Sequence, residues 1–355
     1  MTRRPDPAHR ETDRIIERME KEIAKEYRQA HEEVTAKLND YLQRYATKDE
    51  KWRQWVAEGK KTEAEYKQWV KGQVLMGKRW QEMRDTLAQD YLNAHRIAES
   101  IVNGHMAEVY ALNHNYGTFE VERGGLVDTS YTLYSREAVE RIWRENPQIY
   151  HDPGKETARK IRDGEITAWN RQRVQSVMTQ GILQGESIPD LAKRLKSVTG
   201  GEKAAAIRNA RTMATGVQNA GRMDAMKRAE KLGIKVKKQW LATLDERTRH
   251  WHRDLDGEAV EIDEYFENEI GKIKYPGDPT ADGANVYNCR CTLLTQVDKH
   301  EIDASDTSLR HDEGLGKMTY DEWKASRETT SRPIDYQEKL GNAMKGSYLK
   351  EYRER

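Results

Sequence analysis

Asp245, Arg249 and His252 follow one another at intervals of four and three residues, and Cys289 and Cys291, the two cysteines of the chain, stand behind Asn288 at the end of the same stretch. On an α-helix that spacing puts the aspartate, arginine and histidine on one face. Thr243-Leu-Asp-Glu246 is a capping box that can open such a helix, because its side chains satisfy amide donors left orphaned at a helix start. In an extended strand, two cysteines one residue apart point both thiols to one side and send Arg290 to the other. Three chemistries are open to this set. His252, Cys289 and Cys291, with Asp245 or His250 as a fourth donor, offer the nitrogen, sulfur and oxygen ligands of a tetrahedral zinc, although zinc sites more often separate cysteines by about two to four residues. The Asp–Arg–His face beside a thiol also offers acid–base and nucleophilic groups. No glycine-rich phosphate loop and no second carboxylate at defined spacing accompany it. The third reading is structural: reduced, buried cysteines packing as small hydrophobes, with Asp245, Arg249, His252 and Asn288 in a polar network that pins helix to strand. A comfortable disulfide between Cys289 and Cys291 is ruled out by their spacing.

These residues need elements to hold them. Ile234, Val236, Lys238 and Trp240 alternate, which predicts a strand running into the motif. Asp256-Gly257 marks a tight turn between Leu255 and Val260, so the chain leaves the helix through a hairpin. Tyr275-Pro-Gly-Asp-Pro279 is too rich in proline for a regular element and reads as an ordered loop. Upstream, Thr199-Gly-Gly-Glu202 is a capping box ahead of a helix that Gly233 stops, carrying Arg208, Arg211, Asn219, Gly221 and Arg222. Before it come a helix over 155–185, a turn with a Ser187 cap, and a short helix from Leu191 to Val198.

Toward the start of the chain the pattern is helical. Ile16, Met19, Ile23, Tyr27, Ala30, Val34, Leu38, Tyr41 and Tyr45 recur by threes and fours, the stripe of one long amphipathic helix. Capping boxes at Thr47–Glu50 and Thr62–Glu65 predict two further helices, the first closed by Gly59. The second presents Tyr66, Trp69, Val70, Leu87, Tyr91, Ile97, Ile101, Val109 and Leu112, with Gly77 and Gly104 as candidate breaks. Such stripes are ordinarily core. Yet one helical hairpin needs a cover for its outer apolar face, so the stripe can also serve as a dock. Between 116 and 134 the β-formers Tyr116, Phe119, Val121, Tyr131, Leu133 and Tyr134 flank Gly124-Gly125 and predict a hairpin arm. Ser135 opens a short helix, and Pro147 with Pro153-Gly154 marks a boundary. The resulting division is a helical region over 1–150, an α+β domain over 151–298, and a polar, partly helical tail over 299–355, in which Thr319–Trp323 opens a single helix and Tyr336–Leu349 is loosely helical. The fold class is mainly α with a smaller α+β domain and a flexible C-terminal tail, the tail ordering against a partner.

Composition removes several function classes. The 61 Lys and Arg balance 60 Asp and Glu, so no whole-chain field recruits nucleic acid. Lys155–Arg173 and Arg194–Arg211 are locally basic but interleaved with acids, and any contact with DNA is expected to be weak and steeply salt-dependent. No apolar run approaches a membrane span. The basic start lacks the apolar stretch of a signal peptide, and the cysteines are expected reduced, as in a reducing cytosol.

Taken together, Trp240-x-x-Thr-x-Asp-x-Arg-Thr-Arg-x-x-His-x-x-Leu-Asp-Gly257, then Tyr275-Pro-Gly-Asp-Pro279, then Asn288-Cys-Arg-Cys291 resemble the phage head morphogenesis domain of the minor head proteins similar to protein F of phage Mu. The resemblance covers about Gly185–Gln296 and extends into the helical region only in style. It implies a low-copy, non-catalytic capsid component that associates with a portal, coat or scaffold protein inside the virion of a tailed phage or prophage. The rival from another class is a virion-packaged metal-dependent enzyme, a nuclease or an ADP-ribosyltransferase-like effector. What separates the two is whether Asp245, His252, Cys289 and Cys291 line an open cleft or lie sealed under Trp240 and Trp251.

Overall fold

The computed structural model describes residues 6–75, 78–145, 188–302 and 309–329, with the single helical positions 172, 176 and 180. The chain forms two compact units that interleave along the sequence: one holds residues 1–19, 102–152 and 208–355, the other 20–101 and 153–207. The division between the units cuts through long helices. The boundary markers Pro147 and Pro153-Gly154, the helix over 155–185 and the segment Tyr336–Leu349 lie outside the described residues.

The second unit is built on helix α1 (Pro7–Ala57), α2 (Glu63–Leu75) and α3 (Lys78–Gly125). Ile23, Tyr27, Ala30 and Val34 of α1 are buried, as are Leu87, Ala88, Tyr91, Leu92, Ala94 and Ala98 of α3. Lys37 Nζ of α1 meets Asp90 Oδ2 of α3 at 2.6 Å. The capping box at Thr47 is not used, because α1 runs through it and Thr47 Oγ1 donates to Gln43 O in the helix interior. The helix stops where Gly59 takes a φ of +70°, which glycine adopts without steric cost. The box at Thr62 does form: Thr62 N donates to Glu65 Oε2 at 2.9 Å, and Glu65 N to Thr62 Oγ1 at 3.2 Å. Around this turn Trp69 stacks with Tyr45 and Trp52 at centroid distances of 5.7 and 5.2 Å, with Trp55 and Tyr66 alongside.

In the first unit α3 continues without a break past Gly104 to Gly125, so the hairpin predicted over 116–134 is absent. Only strand β1 (Val127–Asp128) forms there, pairing with β7 (Arg310–His311). The β-forming residues were outweighed by burial: Tyr116 and Phe119, three apart on a helix, land on one face and pack with Tyr320 and Trp323. Helix α4 (Arg136–Glu145) starts as expected at Ser135, whose Oγ accepts from Ala138 N. Helix α5 (Ile188–Lys231) merges the two helices expected on either side of Thr199–Glu202. It ends at Gly233, φ +78°. Where α5 crosses α3 the backbones almost touch: a Cβ on Gly221 would stand 2.9 Å from Tyr110 O, and one on Gly117 2.9 Å from Ala225 Cβ.

Strands β2 (Ile234–Leu241), β3 (Ala259–Glu261) and β6 (Thr292–Ile302) form an antiparallel sheet in the order β3-β2-β6, with Trp240 opposite Leu293. A small β4–β5 ribbon (Phe266–Asn268 and Gly271–Ile273) lies between β3 and β6 in the chain. Arg222 on α5 is fully buried and ties the chain start to this sheet, donating to both Asp6 oxygens (2.9 and 2.8 Å), to Leu293 O (2.7 Å) and to Asn113 Oδ1 (3.1 Å). The stretch 309–329, expected as part of a polar tail, belongs to this unit's core. Helix α8 (Tyr320–Thr329) opens with a formed Thr319–Glu322 box and places Trp323, fully buried, so that its Nε1 donates to buried Glu122 at 2.7 Å. Among the described residues no helix is long and apolar enough to cross a membrane.

Candidate functional site

His252, Cys289 and Cys291 come together. Helix α6 (His250–Asp254) carries the histidine, and the segment after helix α7 (Gly283–Val286), just ahead of β6, carries the cysteines. His252 Nδ1 stands 3.6 Å from Cys289 Sγ and 3.6 Å from Cys291 Sγ. All three are buried, with 1–2% of their surface exposed. Trp240 is fully buried and meets the imidazole edge-to-face at 5.3 Å, and Trp251 meets it at 6.5 Å. The thiols share one side, as the alternation implied, and Arg290 points to another partner.

That partner is Asp245, which the expected helix face would have placed with His252. Residues 242–249 form a turn instead, and α6 begins only at His250. Asp245 Oδ1 accepts from Arg247 N (3.0 Å) and Thr248 Oγ1 (3.1 Å), an Asx turn that competes successfully with a helix start. Its carboxylate takes a two-pronged contact from the Arg290 guanidinium, whose Nη2 lies 2.7 Å from Oδ1. That contact holds the carboxyl well below the usual range. Arg249 donates to Tyr287 O, and His250 pairs with Glu269 at 2.7 Å in solvent, so neither joins the cluster. Asn288 contributes backbone rather than side chain: at φ +57° it turns the chain into Cys289, its N–H donates to Thr212 Oγ1, and its side chain is exposed. The polar network expected to unite Asp245, Arg249, His252 and Asn288 is thus replaced by separate contacts.

The carbonyls of the Cys-Arg-Cys segment are each held by a side chain. Thr215 Oγ1 donates to Cys289 O (2.8 Å), Thr243 Oγ1 to Arg290 O (2.6 Å), and Asn219 Nδ2 to Cys291 O (3.3 Å). Asn219 is the hub, since its Nδ2 also donates to Pro276 O (2.9 Å) and its Oδ1 accepts from Leu293 N (2.9 Å) and Thr292 Oγ1 (3.2 Å). The Tyr275–Pro279 loop lies directly on α5: Gly277 has a φ of +81°, and a Cβ there would stand 2.6 Å from Gly216 N. Asp278, fully buried, accepts from the amides of Lys274 (3.0 Å) and Thr280 (2.8 Å) and from the Thr280 hydroxyl.

Lys238 escaped the sequence reading of the site, although its place in the apolar alternation of β2 was the available signal. Its ammonium is buried and spends its donors on the carbonyls of Ile262, Glu264 and Lys274, tying three loop positions together. Burial, followed by the nearby Lys274, lowers its pKa to about 8. Of the two thiols, Cys291 is the more acidic. Hydrogen bonds that its sulfur accepts from Cys289 and His252 draw it down against the effect of burial, while donating to Cys291 and burial push Cys289 up. An imidazole between two thiols can ligate a metal or share protons. All three side chains are closed off from solvent.

Residues 172–294 match the family model described as "Phage Mu protein F like protein". Minor head protein GP7 of Bacillus phage SPP1 is 26% identical over 344 residues, 92% of this chain and 100% of that protein. NAD(+)--arginine ADP-ribosyltransferase EFV of Enterococcus faecalis is 34% identical over 160 residues, 44% of this chain; the alignment spans only 32% of that relative's length. An uncharacterized protein of Haemophilus influenzae is 28% identical over 205 residues, 58% of this chain and 40% of its own. No solved structure matches the chain.

Proposed function

For a chain whose residues 172–294 match the phage Mu protein F-like family and that is similar to a minor head protein along 92% of its length, we propose a structural role: it binds the portal, the coat or both during head assembly, sits inside the capsid near the portal, and does no chemistry. The observation that carries the non-catalytic part is the burial of His252, Cys289 and Cys291. A catalytic cluster must meet its substrate, and this one is closed off. The Enterococcus transferase favours the packaged-enzyme reading only over a minority of its own length. Failure of the purified chain to turn over NAD or cut DNA is the expected result, and either activity would reverse this conclusion.

We assign docking to the helical unit over 20–101. Tyr45, Trp52, Trp55, Tyr66 and Trp69 cluster there, and all five remain half-buried. Clusters of Trp and Tyr with one face still open are the composition of interface anchors, because they bury much area at small entropic cost. Deleting the whole region from Arg10 to Asn113 would remove buried Thr12 and Asn113 of the other unit. A narrower cut is available. Replacing 39–88 by a short turn leaves the Lys37–Asp90 and Arg18–Glu108 contacts between α1 and α3 in place. With the portal protein encoded alongside it, the intact chain is expected to co-purify and the trimmed chain, still helical by circular dichroism, is not. Equal capture of both would move the dock elsewhere. Failure of the intact chain to bind portal or coat would end the assembly reading.

A further inference from the structure

We propose that His252, Cys289 and Cys291 hold a single zinc ion that pins α6 to the segment entering β6. The first reason is distance. In a tetrahedral centre with a zinc–nitrogen bond of roughly 2.0–2.1 Å and a zinc–sulfur bond of about 2.3 Å, nitrogen and sulfur ligands stand about 3.6 Å apart. His252 Nδ1 lies 3.6 Å from both sulfurs, and all three ligand atoms fall within 4.8 Å of one another.

The second reason is the number of lone pairs. Nδ1 has one, which a thiol proton would direct at one sulfur, yet the two sulfurs are equidistant. A metal placed between three ligands accounts for that symmetry. With Nδ1 facing both sulfurs, a neutral imidazole that ligates there carries its proton on Nε2.

Charge agrees. Two thiolates and a neutral imidazole exactly cancel a divalent cation, so the loaded site is neutral, as a group sealed from water needs to be. Asp245 and His250, the two other donors the sequence offered, are engaged with Arg290 and Glu269. The fourth position is therefore left to a single water enclosed with the ion. An open position of that kind is usual in catalytic zinc sites, but here burial keeps substrates out, so the ion acts as a staple.

The test uses the full chain grown in zinc-supplemented medium. Metal analysis is expected to find one equivalent of zinc, which the Cys289→Ser and Cys291→Ser variants lose. Should those variants fail to fold, the intact chain decides: stripped of metal and titrated with Co(II), it is expected to develop a thiolate-to-cobalt charge-transfer band and the intense visible bands of a tetrahedral ion, both abolished by added zinc. Less than roughly one tenth of an equivalent of zinc in the intact chain, together with no charge-transfer band, would overturn the proposal. So would a disulfide between Cys289 and Cys291 in the protein as purified.

Discussion

Replacing Asn219 by alanine should strongly destabilise the unit that holds the Cys-Arg-Cys segment. The side chain is fully buried. Removing it strips the partner from Leu293 N–H, Pro276 C=O and Cys291 C=O, three backbone groups with no route to water. An orphaned buried polar group costs about 1–3 kcal/mol. Carbonyls keep a second lone pair for other contacts, so we place the total at about 3–6 kcal/mol. Against a domain stability on the order of 5–15 kcal/mol, that is a large fraction. The chain supplies its own probe: its two cysteines are buried next to Asn219, and the chain has no others. Thiol labelling in a urea series, with chelator present to keep the sulfurs free, reports unfolding of this unit alone. With a urea slope of about 2–3 kcal/mol per molar, the labelling midpoint should fall by roughly 1–3 M. Gln29→Ala serves as the control, since Gln29 only reaches Glu33 on an exposed face; its effect should stay within about 0.5 kcal/mol. A loss below about 1 kcal/mol for Asn219→Ala would mean that the three backbone groups find other partners, and the hub assignment would be wrong.

Glu120 gives a pH test. Burial pushes its carboxyl up to about 8 against the pull of Arg222. A carboxyl raised in the fold contributes stability that is complete below its unfolded value of 4.5 and is lost as pH rises through about 8. Glu120→Gln, which keeps an acceptor for Thr295, should therefore gain on wild type as pH goes from about 5 to 8, by on the order of 1–3 kcal/mol at the top; thermal midpoints that stay parallel would refute it. The glycines of the long helices separate by their surroundings. Gly221→Ala should cost about 1–3 kcal/mol because its Cβ meets the Tyr110 carbonyl and the His114 amide, which are backbone and cannot swing aside. Gly104→Ala, with nothing within 4 Å of the added carbon, should instead stabilise by roughly 0.5–1 kcal/mol; calorimetry of the two variants reads both signs.

Local rules written into the sequence determined a good deal. The stripe through Met19, Ile23, Tyr27, Ala30 and Val34 made a helix that buries those residues, the boxes at Thr62 and Thr319 formed, and Gly59 and Gly233 stopped their helices at positive φ. The order of three motifs was enough to indicate the family. The same local rules failed wherever a distant partner outbid them. Thr47 and Thr199 sit inside helices that run on through them, and Thr47 Oγ1 donates back to Gln43 O instead of capping. Tyr116 and Phe119 have strand propensity but became helical once Trp323, some 200 residues away, packed against them. Asp245 had the spacing to join His252, yet a guanidinium 45 residues on made the stronger contact and the helix started later. Whether the His–Cys–Cys cluster is an open site or a sealed one could be decided only by the tertiary structure. The spacing of residues says which side chains share a face, whereas burial depends on what the rest of the chain lays over that face.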